Sequence, residues 1–232
     1  MIRCVTYNVS AGLDLRAAGQ VLDGLGADVV GILEGPSRRG LRRLASGGDL
    51  HVAARGGGRR LPVALLVSDR VRVLSHHAHD LETPGGGPDR VALHAILGAG
   101  GLRLSVIVTQ LGLRPEVRQA HAQEIEAILA KVDAEPVLLG DLNEAPGGEV
   151  VKRFSEVLDD SFVVAGEGRG ESYPTPDPSV RQDYVFVGRD LTVLRSWVHA
   201  APPVDVASHH RPVVVELAGR DEATDPSQET AA

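Results

Sequence analysis

Ala27-Asp28-Val29-Val30-Gly31-Ile32-Leu33-Glu34 is an apolar run that closes on a carboxylate. An unbroken run of this length marks a strand buried on both faces, as in a sheet covered from both sides. Upstream, Ile2 to Tyr7 reads as another strand, ending at Asn8. Between them, Asp14 to Leu25 has helical spacing, with Leu15, Ala18, Val21, Leu22 and Leu25 on one side and Gly26 in the usual terminating position. Strand, helix and buried strand in succession predict an α/β arrangement.

The same alternation continues downstream. Leu41 to Leu44 has helical character, and Leu61 to Val67 and Val71 to Leu74 read as strands. Val91 to Leu97 and Leu102 to Thr109 form a hairpin about Gly98, Gly100 and Gly101. Pro115 opens a helix to about Val132, a favourable place for proline. Pro136 to Leu139 is a buried strand ending at Gly140-Asp141, and Gly147 to Leu158 is helical. Thr83 to Pro88 and Glu167 to Ser179 read as loops, and Tyr184 to Val187, Leu191 to Val198 and Pro212 to Leu217 as the last strands. No repeat and no linker divides the chain, so one domain is expected over 1–218, followed by a disordered polar tail over 219–232.

Composition narrows the function. The 232 residues carry a formal charge of −7 and only 3 % aromatic residues. Proteins that grip long nucleic acid usually show a basic footprint and stacking aromatics. Arg38, Arg39, Arg42 and Arg43 are the one local basic cluster, and read as a solvated helix face. A single cysteine, Cys4, in an apolar run rules out an internal disulfide and fits a reducing compartment. With no signal peptide pattern and no membrane-length apolar run, the chain reads as cytoplasmic.

Polar residues recur at strand ends: Asn8, Glu34, Gln110, Asp141 with Asn143, Asp183, and His209 with His210. Any one of them is explained by a chain returning to water. The whole set predicts a site on one rim of a sheet.

Six ordered elements carry a family resemblance. They are Val5-Thr6-Tyr7-Asn8, the run 27–34, Val108-Thr109-Gln110-Leu111, Leu138-Leu139-Gly140-Asp141-Leu142-Asn143, Arg181-Gln182-Asp183-Tyr184, and Ser208-His209-His210-Arg211-Pro212. In this order they resemble the endonuclease/exonuclease/phosphatase superfamily, with its deoxyribonuclease-I-like fold. The resemblance implies a four-layer α/β sandwich: two mixed sheets packed face to face, with helices outside. It also implies a metal-dependent phosphoesterase. Glu34 would be the main ligand of Mg2+ or Mn2+, with Asn8, Asp141 and His209 beside the ion. Asp141 would activate water, and Asn143 and His210 would contact phosphate, with Asp183 holding the imidazole. Arg90 would neutralise phosphate or brace the sheet, and Arg118 would anchor its helix.

Three positions depart from the family pattern. Gln110 stands where His or Tyr is usual, and an amide cannot give up a proton near neutral pH. His209 replaces an Asp, which tilts ion preference toward manganese or zinc. Leu33 replaces a common Gln. The expected substrate is a phosphorylated small molecule rather than long DNA. A weakened relative that binds a phosphorylated ligand or a protein partner is one alternative, and a DNA nuclease another. The run His76, His77 and His79 lacks a persuasive metal-binding partner at ligand spacing. Oligomeric state is not legible.

Overall fold

The computed structural model describes residues 1–58 and 61–220. The strands are β1 (Ile2–Asn8), β2 (Val29–Leu33), β3 (Leu50–Gly56), β4 (Val63–Ser68), β5 (Arg72–Leu81), β6 (Arg90–Ala99), β7 (Leu102–Gln110), β8 (Glu135–Asp141), β9 (Asp159–Asp160), β10 (Gly166–Glu167), β11 (Asp183–Val187), β12 (Leu191–Val198) and β13 (Val213–Gly219). The helices are α1 (Leu15–Leu25), α2 (Arg38–Ser46), α3 (Pro115–Leu129), α4 (Glu149–Val157), α5 (Ser161–Ala165) and α6 (Val204–Ala207). The first sheet runs β10-β12-β13-β1-β2-β4-β3, and the second β5-β6-β7-β8-β11-β9. Both are mixed, since β1–β2 and β7–β8 are parallel pairs within otherwise largely antiparallel order.

Three apolar layers hold these parts together. Between the sheets, Val29, Leu33, Leu65, Leu93, Val108, Leu139 and Val215 interdigitate. Gly31 lies at the closest approach: a Cβ there would meet Leu139 Cβ at 3.0 Å and Val108 Cγ1 at 3.1 Å. Outside the first sheet, Val5, Tyr7, Val30 and Ile32 pack on Leu22, Leu25, Leu41 and Leu44. Outside the second, Ile107, Leu138 and Phe186 pack on Ala122, Ile125, Val151 and Phe154 of α3 and α4. The result is the four-layer α/β sandwich. Strands buried on both faces need apolar residues at every position, which is why β2 reads as an unbroken run.

Local chemistry sets the helix ends. Asp14 Oδ1 accepts from the backbone N–H groups of Arg16 and Ala17, and Gly26 closes α1 at φ 55°. Ser37 caps α2 through Gly40 N–H, and the four arginines of α2 lie exposed while Leu41 and Leu44 are buried. That solvent-facing placement suits a solvated helix face.

Several boundaries shift from the sequence expectation. α3 stops at Leu129, three residues before Val132, and α2 extends beyond Leu41–Leu44 at both ends. The strand expected over 71–74 continues to Leu81 and carries His76, His77 and His79; β6 pairs with it over its whole length. β3 shows no clear alternation because a bulge between Val52 and Ala54 shifts its register, so that Leu50 and Val52 pack on the outer layer and Ala54 on the layer between the sheets. β13 includes Gly219, and from residue 221 the expected tail lies outside the described residues. Among the described residues no helix is long and apolar enough to cross a membrane.

Candidate active site

The topology brings one rim of the two sheets into register. The parallel strands β1, β2, β7 and β8 deliver Asn8, Glu34, Gln110 and Asp141 at their C-terminal ends. β6 and β11, which run the other way, deliver Arg90 and Asp183 at their starts. Asp141 stands opposite Gln110 on one side and Asp183 on the other. His210 arrives just before β13, the antiparallel neighbour of β1.

Two carboxylates face each other across two amides. Asn8 Nδ2 donates to Glu34 Oε1 and to Asp141 Oδ2, each at 3.2 Å. Gln110 Nε2 donates to the same two oxygens at 2.8 and 3.0 Å. Arg90, buried behind them, donates to Gln110 Oε1 and fixes the orientation of that amide. Asn8 Oδ1 accepts from Ser10 N–H at 3.0 Å, so this amide is also held one way round. Arg90 therefore reaches the carboxylates through Gln110. Glu34 Oε2 accepts no hydrogen bond among the described residues, and Glu34 is only half-buried.

Beside this pair lies a buried acid–imidazole couple. His210 Nδ1 is 2.8 Å from Asp183 Oδ2, which also accepts from Ser172 Oγ at 2.6 Å. Asp183 Oδ1 is buried and has no hydrogen-bond partner among the described residues. Burial alone would push the imidazole pKa down. The charge and hydrogen bond of Asp183, with the charges of Asp141 and Glu34, outweigh it and raise His210 to about 9. His210 is thus an imidazolium at neutral pH, with Nε2–H free to donate. Tyr173 packs against its ring at 4.6 Å between centroids. Asp141 is raised in turn, by burial first and by the charge of Asp183 second. The ligand atoms of Asp141, Asp183 and His210 lie within 4.8 Å of one another.

The backbone around the site is unusual. Ser10, Ala11, Glu34 and Asn143 all adopt positive φ, at 46°, 57°, 48° and 50°. Such conformations in non-glycine residues persist where the surroundings over-determine them, and they cluster at functional sites. Asn143 N–H caps Asp141 Oδ1 at 2.9 Å, and its side chain donates to Leu111 O at 2.9 Å.

Other residues have different placements. His209 is exposed on the rim, its backbone N–H bonded to Ser10 Oγ at 3.2 Å, and its ring is not part of the Asp141–Asp183–His210 group. Arg181 is turned away from Asp183 and pairs with buried Asp160 at 2.6 and 3.1 Å. Arg118 ties α3 to Glu144, whose other oxygen caps Val150 N–H at the start of α4. Sequence reasoning did not single out Ser172, Tyr173 or Ser208 as site residues. Ser208 Oγ donates to Asn8 O at 2.6 Å. Ser172 and Tyr173 sit in a Gly- and Pro-rich loop with no periodicity to mark them. A concavity of about 710 Å³ between α3 and α4 shares no residue with this cluster; the Glu126–Arg153 ion pair on its wall already satisfies its main charges.

The sequence profile of the Endonuclease/Exonuclease/phosphatase family matches residues 5–227. Solved structures with the same fold include an endonuclease/exonuclease/phosphatase from Bacteroides vulgatus, 18 % identical at TM-score 0.82 over 94 % of this chain and 98 % of that one. A mannosyl-6-phosphatase from Bacteroides thetaiotaomicron VPI-5482 is 16 % identical at TM-score 0.82, over 94 % of this chain and all (100 %) of the other. The catalytic domain of human Nocturnin, with bound sulfate, is 17 % identical at TM-score 0.73 over 94 % of each chain. No curated protein sequence matches the chain.

Proposed function

This chain belongs to the endonuclease/exonuclease/phosphatase family, whose members are metal-dependent phosphoester hydrolases, and from that premise we propose that it hydrolyses a phosphomonoester or phosphodiester of a small molecule. The observation that carries this reading is the rim cluster: Glu34 and Asp141 share two amide donors and face the His210 imidazolium.

The donor set suits a hard, partly hydrated cation. Glu34 has one carboxylate oxygen unengaged and faces solvent, and one or two carboxylates are what Mg2+ or Mn2+ takes from a protein. Glu34 would hold the ion, with Asp141 and Asn8 beside it and the His209 ring on the open side. Zn2+ is less suited to so oxygen-rich a set. When bound, the ion neutralises phosphate charge and orients the ester.

The residues themselves supply the rest. Asp141, buried and with a raised pKa, accepts a proton from the attacking water. Asn143 N–H and the Gln110 amide aim its two oxygens. His210 donates from Nε2 to a phosphate oxygen and stabilises the charge that develops, while Asp183 maintains that protonation. The second amide hydrogen of Asn143 is a further donor to phosphate. Gln110 cannot protonate a leaving oxygen, so esters with good leaving groups are favoured. Charge of −7, few aromatics and the phosphatase among the structural relatives support a small substrate over long nucleic acid.

A phosphatase and phosphodiesterase panel with Mg2+, Mn2+ and Zn2+ tests this. Turnover should vanish on chelation and fall at least ~100-fold in Glu34→Ala and Asp141→Ala, since even loss of a supporting group at a metal site costs 10–100-fold. Unchanged turnover in either variant would sink the assignment. Saturable phosphate binding without turnover of any ester would favour a binding protein. Metal-dependent nicking of supercoiled DNA with steep salt dependence would favour a nuclease.

A further inference from the structure

We propose that His77, His79 and His94 form a second metal site, for a borderline transition-metal ion of the Zn2+ class, on the outer face of the second sheet. β5 is the edge strand of that sheet, and His77 stands directly opposite His94 on β6. His79 lies two residues along β5, so all three side chains leave the same face. It is the face whose residues Leu81 and Ala92 pack toward α3.

Neighbouring rings in the trio are close, and side-chain rotation is needed to gather all three ligand nitrogens as tightly as those of Asp141, Asp183 and His210, the one triad already within 4.8 Å among the described residues. The ring centroids of His77 and His79 are 4.5 Å apart, and those of His79 and His94 are 6.2 Å apart. Three imidazoles bound tetrahedrally through nitrogen at ~2.0–2.1 Å have centroids roughly 5 Å apart. His94 Nε2 lies 2.9 Å from Ser105 Oγ, the second bond that orients a ligating histidine, and this leaves Nδ1 for the ion. The His77 ring is exposed and makes no hydrogen bond among the described residues, so it can turn toward the other two. Burial and the neighbouring imidazoles lower the pKa of His94, and burial, His77 and Lys131 lower that of His79. A lowered pKa is in the direction that favours the neutral, metal-binding form, and the site itself rests on the placement of the three rings. An all-imidazole set selects Zn2+, Cu2+ or Ni2+ over Mg2+.

A plainer account is that polar residues guard an edge strand against pairing. It covers His76, His77 and His79. It does not cover His94, which is half-buried on an inner strand between Ala92 and Ile96, where an apolar side chain would be ordinary. The site is distinct from the rim cluster: Arg90 lies four residues along β6, about 13 Å at ~3.3 Å per residue.

The test is calorimetric titration of metal-stripped full-length chain, free of any affinity tag, with Zn2+ under excess Mg2+. Co2+ absorption reports tetrahedral nitrogen ligation independently. Zn2+ should bind the wild type and Glu34→Ala alike. His77→Ala and His94→Ala should each weaken binding by ~10-fold or more, the minimum expected when a ligand is removed. His77→Ala, at an exposed position, should leave the circular dichroism spectrum and any phosphoesterase turnover unchanged. Equal Zn2+ binding in wild type and both histidine variants would overturn the proposal, as would Zn2+ binding lost only in Glu34→Ala.

Discussion

Replacing Asp183 by asparagine keeps the shape of the side chain and removes its charge. The structure sets the size of the effect. His210 sits at about 9 instead of 6.5 because Asp183, with Asp141 and Glu34, overcomes a burial effect of opposite sign. At ~1.4 kcal/mol per pH unit, the favourable coupling to the imidazolium is about 3 kcal/mol. Without the Asp183 charge, burial regains weight and His210 should titrate near or below 6.5. At pH 7.5 its protonated fraction would fall from ~97 % to roughly a tenth or less. The raised pKa stabilises the folded state fully below 6.5, and that contribution is lost as pH rises through 9. Asp183→Asn should therefore cost up to about 3 kcal/mol in urea unfolding near pH 6, and much less near pH 9.5. The assay pairs those unfolding curves with the NMR titration of the His210 imidazole, and neither needs a known substrate. A His210 midpoint left within about half a unit of the wild-type value, or an equal stability loss at both pH values, would refute the reasoning.

Gln110→His restores a group able to protonate a leaving oxygen. Turnover of esters with poor leaving groups should rise ~10²-fold or more, with little change for good ones; a uniform effect across leaving groups would show that the position does not act on the leaving oxygen. Glu34 holds φ at 48°, which alanine tolerates poorly and glycine freely. Both Glu34→Gly and Glu34→Ala should abolish turnover, with the glycine variant about 1 kcal/mol more stable in thermal unfolding; equal stability would mean the backbone there is unstrained. His121 is fully buried, and burial first, with the Arg90 charge second, drives its pKa down to about 4. As pH falls from 6.5 to 4 the unfolded chain takes up a proton that the folded chain refuses, so stability is lost over that window by up to ~3 kcal/mol. His121→Leu should flatten this acid limb in denaturant titrations, and an unchanged slope would assign it to other groups.

Much of the architecture was legible because its signals are local. An apolar run without alternation announces a strand covered on both faces, and β2 and β8 were legible for that reason, β7 as one arm of a hairpin about glycines, and β1 as a short strand ending at Asn8. β3 and the far half of β5 were not read as strands. Their residues are largely polar or half-exposed, and pairing with a neighbour holds them in place. The Gly- and Pro-rich segment 167–179 gave no hint that Ser172 and Tyr173 would support Asp183 and His210.

By itself the sequence determined which residues carry charge and hydrogen-bonding capacity, where the strands end, and hence that Asn8, Glu34, Gln110, Asp141, Asp183 and His210 were candidates for one rim. Only the tertiary structure decided how they pair. Whether Asp183 meets Arg181 or His210, whether Arg90 faces phosphate or the Gln110 amide, and whether a run of histidines on β5 finds a fourth on β6 all depend on cross-strand register. Register is set by packing between residues far apart in the chain. A sliding pattern of apolar and polar letters cannot encode it, because a one-residue shift would turn each side chain to the opposite face without altering the pattern.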